Sequence, residues 1–440
     1  MRSIMNACLS CGIAFLPLMA GGAEAPVPAA PVAPEPPKSQ GLSLTVGETS
    51  IKFYGFVRLD MHYDDSHPNN TQLISCIKSE DKNAAAALPG VAEMPNSADF
   101  TMSARLTRFG VDVTSPTIAM LGDARASAKI EIDFLANGGS EAVSISRAVP
   151  RMRLAYLKLA WDDFSILAGQ GWDVFSPLNP TVNGEFVMWG AGNLGDRRPM
   201  IMADYHPAVA GGTLILQGEV GLTGAVDNQN LDVGAVTTTV RDGEASAVPT
   251  FMARIAYKHP HLWVEKKTFE VGVWGDFAKE HLDRLPAGYT ENRFTSTGFG
   301  LDVTLPLHDL VDIRGEVWGG KNLDDVRGGI LQGISNVDGG TEVRSRGYWI
   351  EAAVKPLDWY TLHLGTSRDN PFNHDIAAPV AATNAPAGAV DNHVFYVGNR
   401  FNLGGGLLLG FDYLHWTTQW RGDLANGTDN RFSVVAQLSF

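Results

Sequence analysis

Residues 123–134 read D-A-R-A-S-A-K-I-E-I-D-F. Ala124, Ala126, Ala128, Ile130, Ile132 and Phe134 fall on one parity. Asp123, Arg125, Ser127, Lys129, Glu131 and Asp133 fall on the other. A repeat of two belongs to a β-strand, whose successive side chains point to opposite faces, so this segment has one greasy face and one charged face. The pattern recurs along most of the chain without a matching amphipathic helix. An all-β transmembrane antiparallel β-barrel satisfies so many two-faced strands at once, with lipid outside and water inside. Slipping this one strand by a residue would turn five charged side chains toward lipid. At roughly 2–4 kcal/mol for each Arg or Lys and less for each acid, the slip costs on the order of 10 kcal/mol.

Working outward, the alternation predicts strands at 51–63, 100–114 (with a face switch near Arg108), 122–134, 151–161, 164–171, 200–206, 213–223, 250–258, 268–278, 297–305, 311–319, 348–355, 360–367, 392–401, 407–417 and 431–440. That is about sixteen strands. Short turns such as Asp162-Asp163 alternate with long connections near 64–99, 135–150, 172–198, 224–249, 279–296, 320–347, 368–391 and 418–430. Short periplasmic turns at one end and long external loops at the other are the pattern of a bacterial membrane barrel. Aromatic residues such as Trp161, Phe164, Trp359 and Tyr360 gather near strand ends, as interfacial girdles do.

Composition fits this reading. The chain has 440 residues, 45% hydrophobic and 19% charged, with no apolar run long enough for a membrane helix. A net charge of −14 argues against a nucleic-acid partner. Residues 1–23 read as a secretory signal: Arg2, an apolar stretch from Ala7 to Ala20, then small residues around the cut. Cys8 and Cys11 fall in that leader, which leaves Cys76 and no internal disulfide. Residues 24–50 contain P-V-P-A-A-P-V-A-P-E-P-P, a polyproline-like periplasmic spacer. The barrel then runs from 51 to 440, and its last strand closes on Phe440. A terminal Phe resembles the signal read by the barrel-assembly machinery of Gram-negative outer membranes.

Several segments together are similar to the DcaP-like family of trimeric outer-membrane porins. They are I-K-F-Y-G-F-V-R-L-D (51–60), R-L-T-R-F-G-V-D-V-T-S-P (105–116), K-I-E-I-D-F (129–134), R-M-R-L-A-Y-L-K-L (151–159) with A-G-Q-G-W-D-V-F-S-P-L-N-P (168–180), and F-D-Y-L-H-W-T-T-Q-W (411–420). The resemblance covers 51–440. It implies a sixteen-stranded homotrimer in the outer-membrane lipid of a Gram-negative bacterium, a third loop folded into the lumen, and passage of small anionic solutes, including dicarboxylates. The phosphate-selective porins are close neighbours of that family.

A channel selects by width and by charged rings at its constriction. The candidate constriction loop is 172–198, with charges at Asp173, Glu185, Asp196, Arg197 and Arg198. The inward parity of the early strands carries Arg58, Arg105, Arg108, Arg125, Lys129, Arg151 and Arg153. A guanidinium binds carboxylate or phosphate with two parallel hydrogen bonds. Each arginine has two readings: an anion contact in the pore, or a partner for the neighbouring Asp60, Asp112, Glu131 or Asp133. The candidates for the pore are Arg58, Arg105, Arg125, Arg151, Arg153, Arg197 and Arg198, and Trp172 and Phe175 either shape the throat or pack under the loop. Later strands mix signs (Arg254, Lys258 and Arg314 against Glu219, Glu270, Asp302, Asp312 and Glu316) and give no ranking. His259-Pro260-His261 offers two imidazoles without a third ligand, so neither metal nor cofactor is expected. A barrel hydrolase would need a Ser–His or paired-carboxylate site, and His62, His363 and His415 have no serine motif beside them. A structural envelope anchor with a blocked lumen is the remaining alternative.

Overall fold

The computed structural model describes residues 42–80, 97–136, 148–184, 187–224, 243–377, 387–422 and 424–440. The leader and the proline tract lie outside the described residues, as does Glu185. The strands are β1 Ser43–Val46, β2 Thr49–Asp64, β3 Asp99–Ser103, β4 Arg108–Ile118, β5 Ala124–Ala136, β6 Val149–Ala160, β7 Phe164–Trp172, β8 Arg197–Tyr205, β9 Ala208–Val209, β10 Gly212–Gly221, β11 Thr250–His259, β12 Phe269–His281, β13 Arg293–His308, β14 Val311–Lys321, β15 Ile334–Ser335, β16 Thr341–Glu342, β17 Arg344–Leu357, β18 Tyr360–Pro371, β19 Ala389–Gly404, β20 Leu407–Trp420 and β21 Gly427–Ser439. All but the β15–β16 hairpin join one antiparallel sheet of sixteen staves, and β2 pairs with β21 to close it. No α-helix occurs among the described residues.

Alternation sorts the faces as the sequence requires. In β17, Arg344, Arg346 and Ile350 are exposed on the outside, while Ser345, Trp349 and Glu351 are buried on the inside. The outer face carries exposed Val57, Ile130, Leu157, Ile201, Ile255, Val273, Phe299, Val317 and Phe432, an apolar belt suited to lipid. Strands such as β12, β13, β19 and β20 run three or four residues farther than their apolar pattern, because polar extensions above the belt still complete the ladder.

Two local departures have physical causes. The expected strand 100–114 is broken: Ala104–Thr107 forms a turn between β3 and β4, closed by Thr107 N–H donating to Ala104 O at 3.0 Å. Arg58 N–H donates to Thr107 Oγ1 at 3.1 Å opposite the break. Arg105 leaves the wall from this turn. The second departure is at the seam. The strand region begins at Ser43, inside the segment expected to be spacer. β21 pairs with Phe56–Asp64 of β2, and β1 pairs with Thr49–Lys52 on the same edge. Phe440 N–H donates to Gly55 O at 3.0 Å between them. β1 thus covers backbone groups that β21 is too short to reach, which an edge in or near lipid demands.

The lumen carries an aromatic floor. Trp274, Trp318 and Tyr396 sit directly across the ladder from Gly300, Gly347 and Gly365. A Cβ added at those glycines would meet the ring atoms at 2.2, 2.3 and 2.1 Å. Each ring lies flat on the bare backbone of its neighbour, as aromatic residues do over strand glycines. Gly300→Val should therefore displace Trp274 and cost about 1–3 kcal/mol. The midpoint of urea unfolding in detergent micelles measures this; an unchanged midpoint would refute the stacking argument.

Candidate functional site: the inward loop and the basic wall

The connection between β7 and β8, residues 173–196, turns into the barrel and follows its inner wall. Wall carboxylates anchor it in sequence order. Val174 N–H donates to Glu219 on β10 at 2.9 Å, and Leu178 N–H to Glu316 on β14 at 2.9 Å. Thr181 N–H donates to Glu351 on β17 at 2.7 Å, and Asn183 N–H to Asp412 on β20 at 2.6 Å. Trp318 Nε1 donates to Gly192 O at 2.7 Å. Phe175 packs on Trp274, with ring centroids 4.3 Å apart, and Val174 and Leu194 join the same buried cluster. Amide donors pointed at buried carboxylates make charge-assisted bonds, which are roughly twice as strong as neutral ones.

Two further connections fold inward and clasp this loop. Ile74 and Ile77, after β2, pack with Met188 and Ala191 of the loop. Asn392 Nδ2 donates to Ser75 O at 2.6 Å and to Gly190 O at 2.7 Å, tying the two segments together. From the β14–β17 connection, Arg327 reaches Asp196 at 2.7 Å and lies over the Trp189 ring, 4.9 Å from its centroid. Burial pushes the Asp196 carboxyl up, but Arg327 and Arg197 more than offset it and leave it below the usual carboxylate range.

Glu351 is the hub beneath the loop tip. It accepts from Thr181 N–H and Oγ1, from Arg314 at 2.7 Å and from the Tyr396 hydroxyl at 3.1 Å, and it contacts His363 Nδ1 at 3.0 Å. Breaking a buried pair costs about 3–5 kcal/mol. Glu351→Gln should therefore free the tip around Thr181, with larger conductance and a noisier open state in single-channel records. Unaltered records would show that the tip is held by its other contacts.

The wall that the loop leaves open is β2 to β6. Here six cations (Arg58, Arg105, Arg108, Lys129, Arg151 and Arg153) stand among four carboxylates (Asp60, Asp112, Glu131 and Asp133). Arg58 meets Asp60 at 2.6 Å, Arg151 meets Asp133 at 2.5 Å, Lys129 meets Asp112 at 2.9 Å, and Arg108 lies 3.5 Å from Glu131. Lys129 also donates to the Tyr54 hydroxyl at 3.1 Å, and Tyr54 donates to Glu131 at 3.0 Å. Exposure decides which sign a solute meets. Asp60, Glu131 and Asp133 are 0–8% exposed, whereas Arg58, Arg108, Lys129 and Arg151 are 16–26% exposed. Three of the four carboxylates lie beneath the cationic heads; the fourth, Asp112, is 35% exposed beside Lys129.

No family model matches the chain, and no curated protein matches it. Solved structures do. The outer membrane channel DcaP of Acinetobacter baumannii aligns over 91% of this chain and all of its own, with TM-score 0.65 and 16% identity. Salmonella typhi OmpF, in complex with daunomycin, aligns over 91% and 100% (TM-score 0.56, 12% identity). An anion-selective porin from Comamonas acidovorans aligns over 89% and 100% (TM-score 0.53, 12% identity). The chain has the fold of the outer-membrane porins. At these identities the likeness is one of fold.

Within this porin fold the sequence candidates separate. Arg58, Arg105 and Arg151 project from the open wall, Arg105 donating to Gln72 of the inward segment after β2. Arg125 is exposed on the lumen parity of β5, just past the short turn and away from the loop. Arg153 is a correction. A β-bulge pairs Glu131 with Leu154 and Ile132 with Met152, and Arg153 is buried between Glu131 and Asp133, each at 2.9 Å. Arg197 and Arg198 are corrections too, because they belong to β8 and pair across the ladder with Trp172 and Gly171. Arg198 has no exposed surface: it binds Asp173 at 2.8 Å and Asp325 at 2.8 Å. Arg197 is nearly buried against Asp196 at 3.2 Å and over the Trp172 ring, which is thereby a support for an arginine. Phe175 is fully buried and packs under the loop, the second of its two readings. The reading of residues missed the anchors Glu219, Glu316, Glu351 and Asp412. Arg108 and Lys129 stand in the basic cluster beside the candidates Arg58 and Arg151.

The hydrolase alternative gains one contact: His62 Nδ1 and Ser433 Oγ are 2.8 Å apart. Both side chains are buried in the wall, so no substrate carbonyl reaches the hydroxyl. Cys76 is buried as a free thiol, and burial pushes it up to about 12, which makes it inert.

Proposed function

We propose that this barrel is a passive diffusion channel for small hydrophilic anions, carboxylates foremost. The observation that carries the reading is the asymmetry of the open wall, where Arg58, Arg108 and Arg151 are partly exposed while their partners Asp60, Glu131 and Asp133 are buried. A water-filled lumen bounded by low-dielectric walls concentrates the field of such a surface and raises the local concentration of the opposite sign. The loop contributes to the same bias. Its amides and Arg314 cover the charges of Glu316 and Glu351, so the opposite wall presents little negative potential. The barrel performs no bond chemistry in this reading. It works as a homotrimer in outer-membrane lipid, after removal of residues 1–23 and assembly directed by the strand ending at Phe440. Residues 24–42 precede the barrel as a periplasmic spacer that passes into β1.

Solute entry into liposomes containing the purified protein tests this reading. A small dicarboxylate should enter faster than an ammonium compound of equal size. Faster entry of phosphate than of carboxylate would transfer the channel to phosphate. Equal exclusion of all solutes would favour an anchor with a blocked lumen.

A further inference from the structure

The outer surface of the barrel carries a band of cations that neither the lumen nor the fold explains. It lies just beyond the apolar belt, at the long-loop end, on β12 to β18. Alternation places Lys279 above Phe277 on β12, Arg293 beyond Phe299 on β13, and Lys321 above Val317 on β14. On β17, Arg344 and Arg346 stand above Ile350, and on β18 Arg368 stands above Leu364. The register joins them into a row. Lys321 pairs directly with Arg344, and Lys279 and Arg293 lie on either side of the β12–β13 ladder. Arg368 faces Tyr348, two residues from Arg346.

The acids nearby do not neutralise this row. Lys321 pairs with Glu342 at 3.3 Å, Arg344 with Asp375 at 2.8 Å and Arg368 with Asp391 at 2.7 Å. Among the described residues, Lys279, Arg293 and Arg346 have no ion pair, which leaves three uncompensated cations in a chain of net charge −14. The paired guanidiniums of Arg344 and Arg368 are still 49% and 46% exposed. Arg344 and Arg346 both lie over the Phe372 ring, 5.4 and 5.8 Å from its centroid. Asp375 compensates Arg344, whereas Arg346 beside the same ring has no anion among the described residues. The belt below fixes the medium: acyl chains lie against Phe277, Phe299, Val317 and Ile350.

We propose that this band is a binding site for phosphate-bearing lipid headgroups of the outer leaflet. Arg346 takes one phosphate by parallel N–H donation, with the Arg344 guanidinium, held by Asp375, beside it. Lys279 and Arg293 lie farther along the row, within reach of a second phosphate on the same large headgroup. The acyl chains of that lipid run down the apolar belt. The site does not depend on what passes through the lumen, so it stands or falls apart from the anion reading.

The test is native mass spectrometry of the full mature protein with diphosphorylated lipid A and with its dephosphorylated form. The diphosphorylated lipid should be retained and the dephosphorylated one lost. The variant K279A/R293A/R346A leaves no orphaned carboxylate. It should weaken retention about a hundredfold, at roughly a fivefold loss per cation removed. The charge-keeping variant R293K/R346K should retain the lipid, and heat-modifiable migration on gels reports whether each variant is folded. Equal retention of the two lipids, or full retention by the folded alanine variant, would overturn the proposal. Displacement of the lipid by inorganic phosphate at comparable concentration would overturn the assignment to lipid.

Discussion

Arg198→Ala should loosen the inward loop. Arg198 is fully buried and holds three structures together: Asp173 at the loop's departure, β8 at its return, and Asp325 of the β14–β17 connection. Its guanidinium makes two bonds to Asp173 at 2.8 and 3.0 Å, one to the Asp325 carboxylate at 2.8 Å and one to the Asp325 carbonyl at 2.8 Å. Removing it leaves two carboxylates buried without their cation, beside Glu219 on the neighbouring strand. The penalty for one such break is about 3–5 kcal/mol, enough to loosen the departing end of a loop that is held elsewhere by the wall carboxylates, by Arg327 on Asp196 and by the packing of Phe175 and Met188. The barrel ladder does not pass through Arg198, so the staves should stay paired. Single-channel conductance should rise and fluctuate between levels, while circular dichroism keeps its β signal. Wild-type conductance in this variant would show that the wall carboxylates hold the loop by themselves. Arg198→Lys should rescue only in part, because one ammonium cannot make the same planar set of bonds.

Neutralising the open wall should change which ion crosses. In Arg58→Gln/Arg108→Gln/Arg151→Gln, three of the six cations disappear and all four carboxylates remain. The wall then holds Arg105, Lys129 and Arg153 against Asp60, Asp112, Glu131 and Asp133, and its local charge goes from positive to negative. Charge rings at a constriction set the sign of the permeant ion, so the reversal potential in a salt gradient should move toward cation preference. The shift should shrink at high salt, where the screening length falls to about 3 Å at 1 M. A reversal potential identical to wild type would place the selectivity filter elsewhere. The same change at Arg153 alone should mainly destabilise the wall, because that side chain is enclosed by Glu131 and Asp133.

The staves were legible in the sequence because lipid and water lie on opposite sides of every strand. Residues such as Ile130 and Glu131 are sorted by energies of several kcal/mol, and the parity survives without knowledge of any neighbour. What could not be read depends on contacts far apart in sequence. Arg58 and Arg198 are the same residue type on the same kind of strand. Arg58 meets a carboxylate two residues away and stays partly open to the lumen, whereas Arg198 is enclosed by Asp325, 127 residues away. The anchors Glu219, Glu316, Glu351 and Asp412 look like ordinary lumen acids until the loop is laid over them. The aromatic floor left a faint trace: Trp274, Trp318 and Trp349 occupy the lumen parity, where charged or small residues were expected. Their meaning depended on register, which brings Gly300 and Gly347 under the first two rings. The spacer boundary was misplaced for a similar reason, since β1 is a strand only because β21 stops short of the lower half of β2.

The measurement closest to the central claim is the zero-current potential of the wild-type protein in a neutral planar bilayer, with potassium chloride more concentrated on one side. The partly exposed Arg58, Arg108 and Arg151 above buried Asp60, Glu131 and Asp133, with Lys129 and Asp112 open as a pair beside them, predict a potential of the sign given by chloride permeation. A potential of the opposite sign would mean that the buried carboxylates, or the loop, govern the lumen, and would contradict the account.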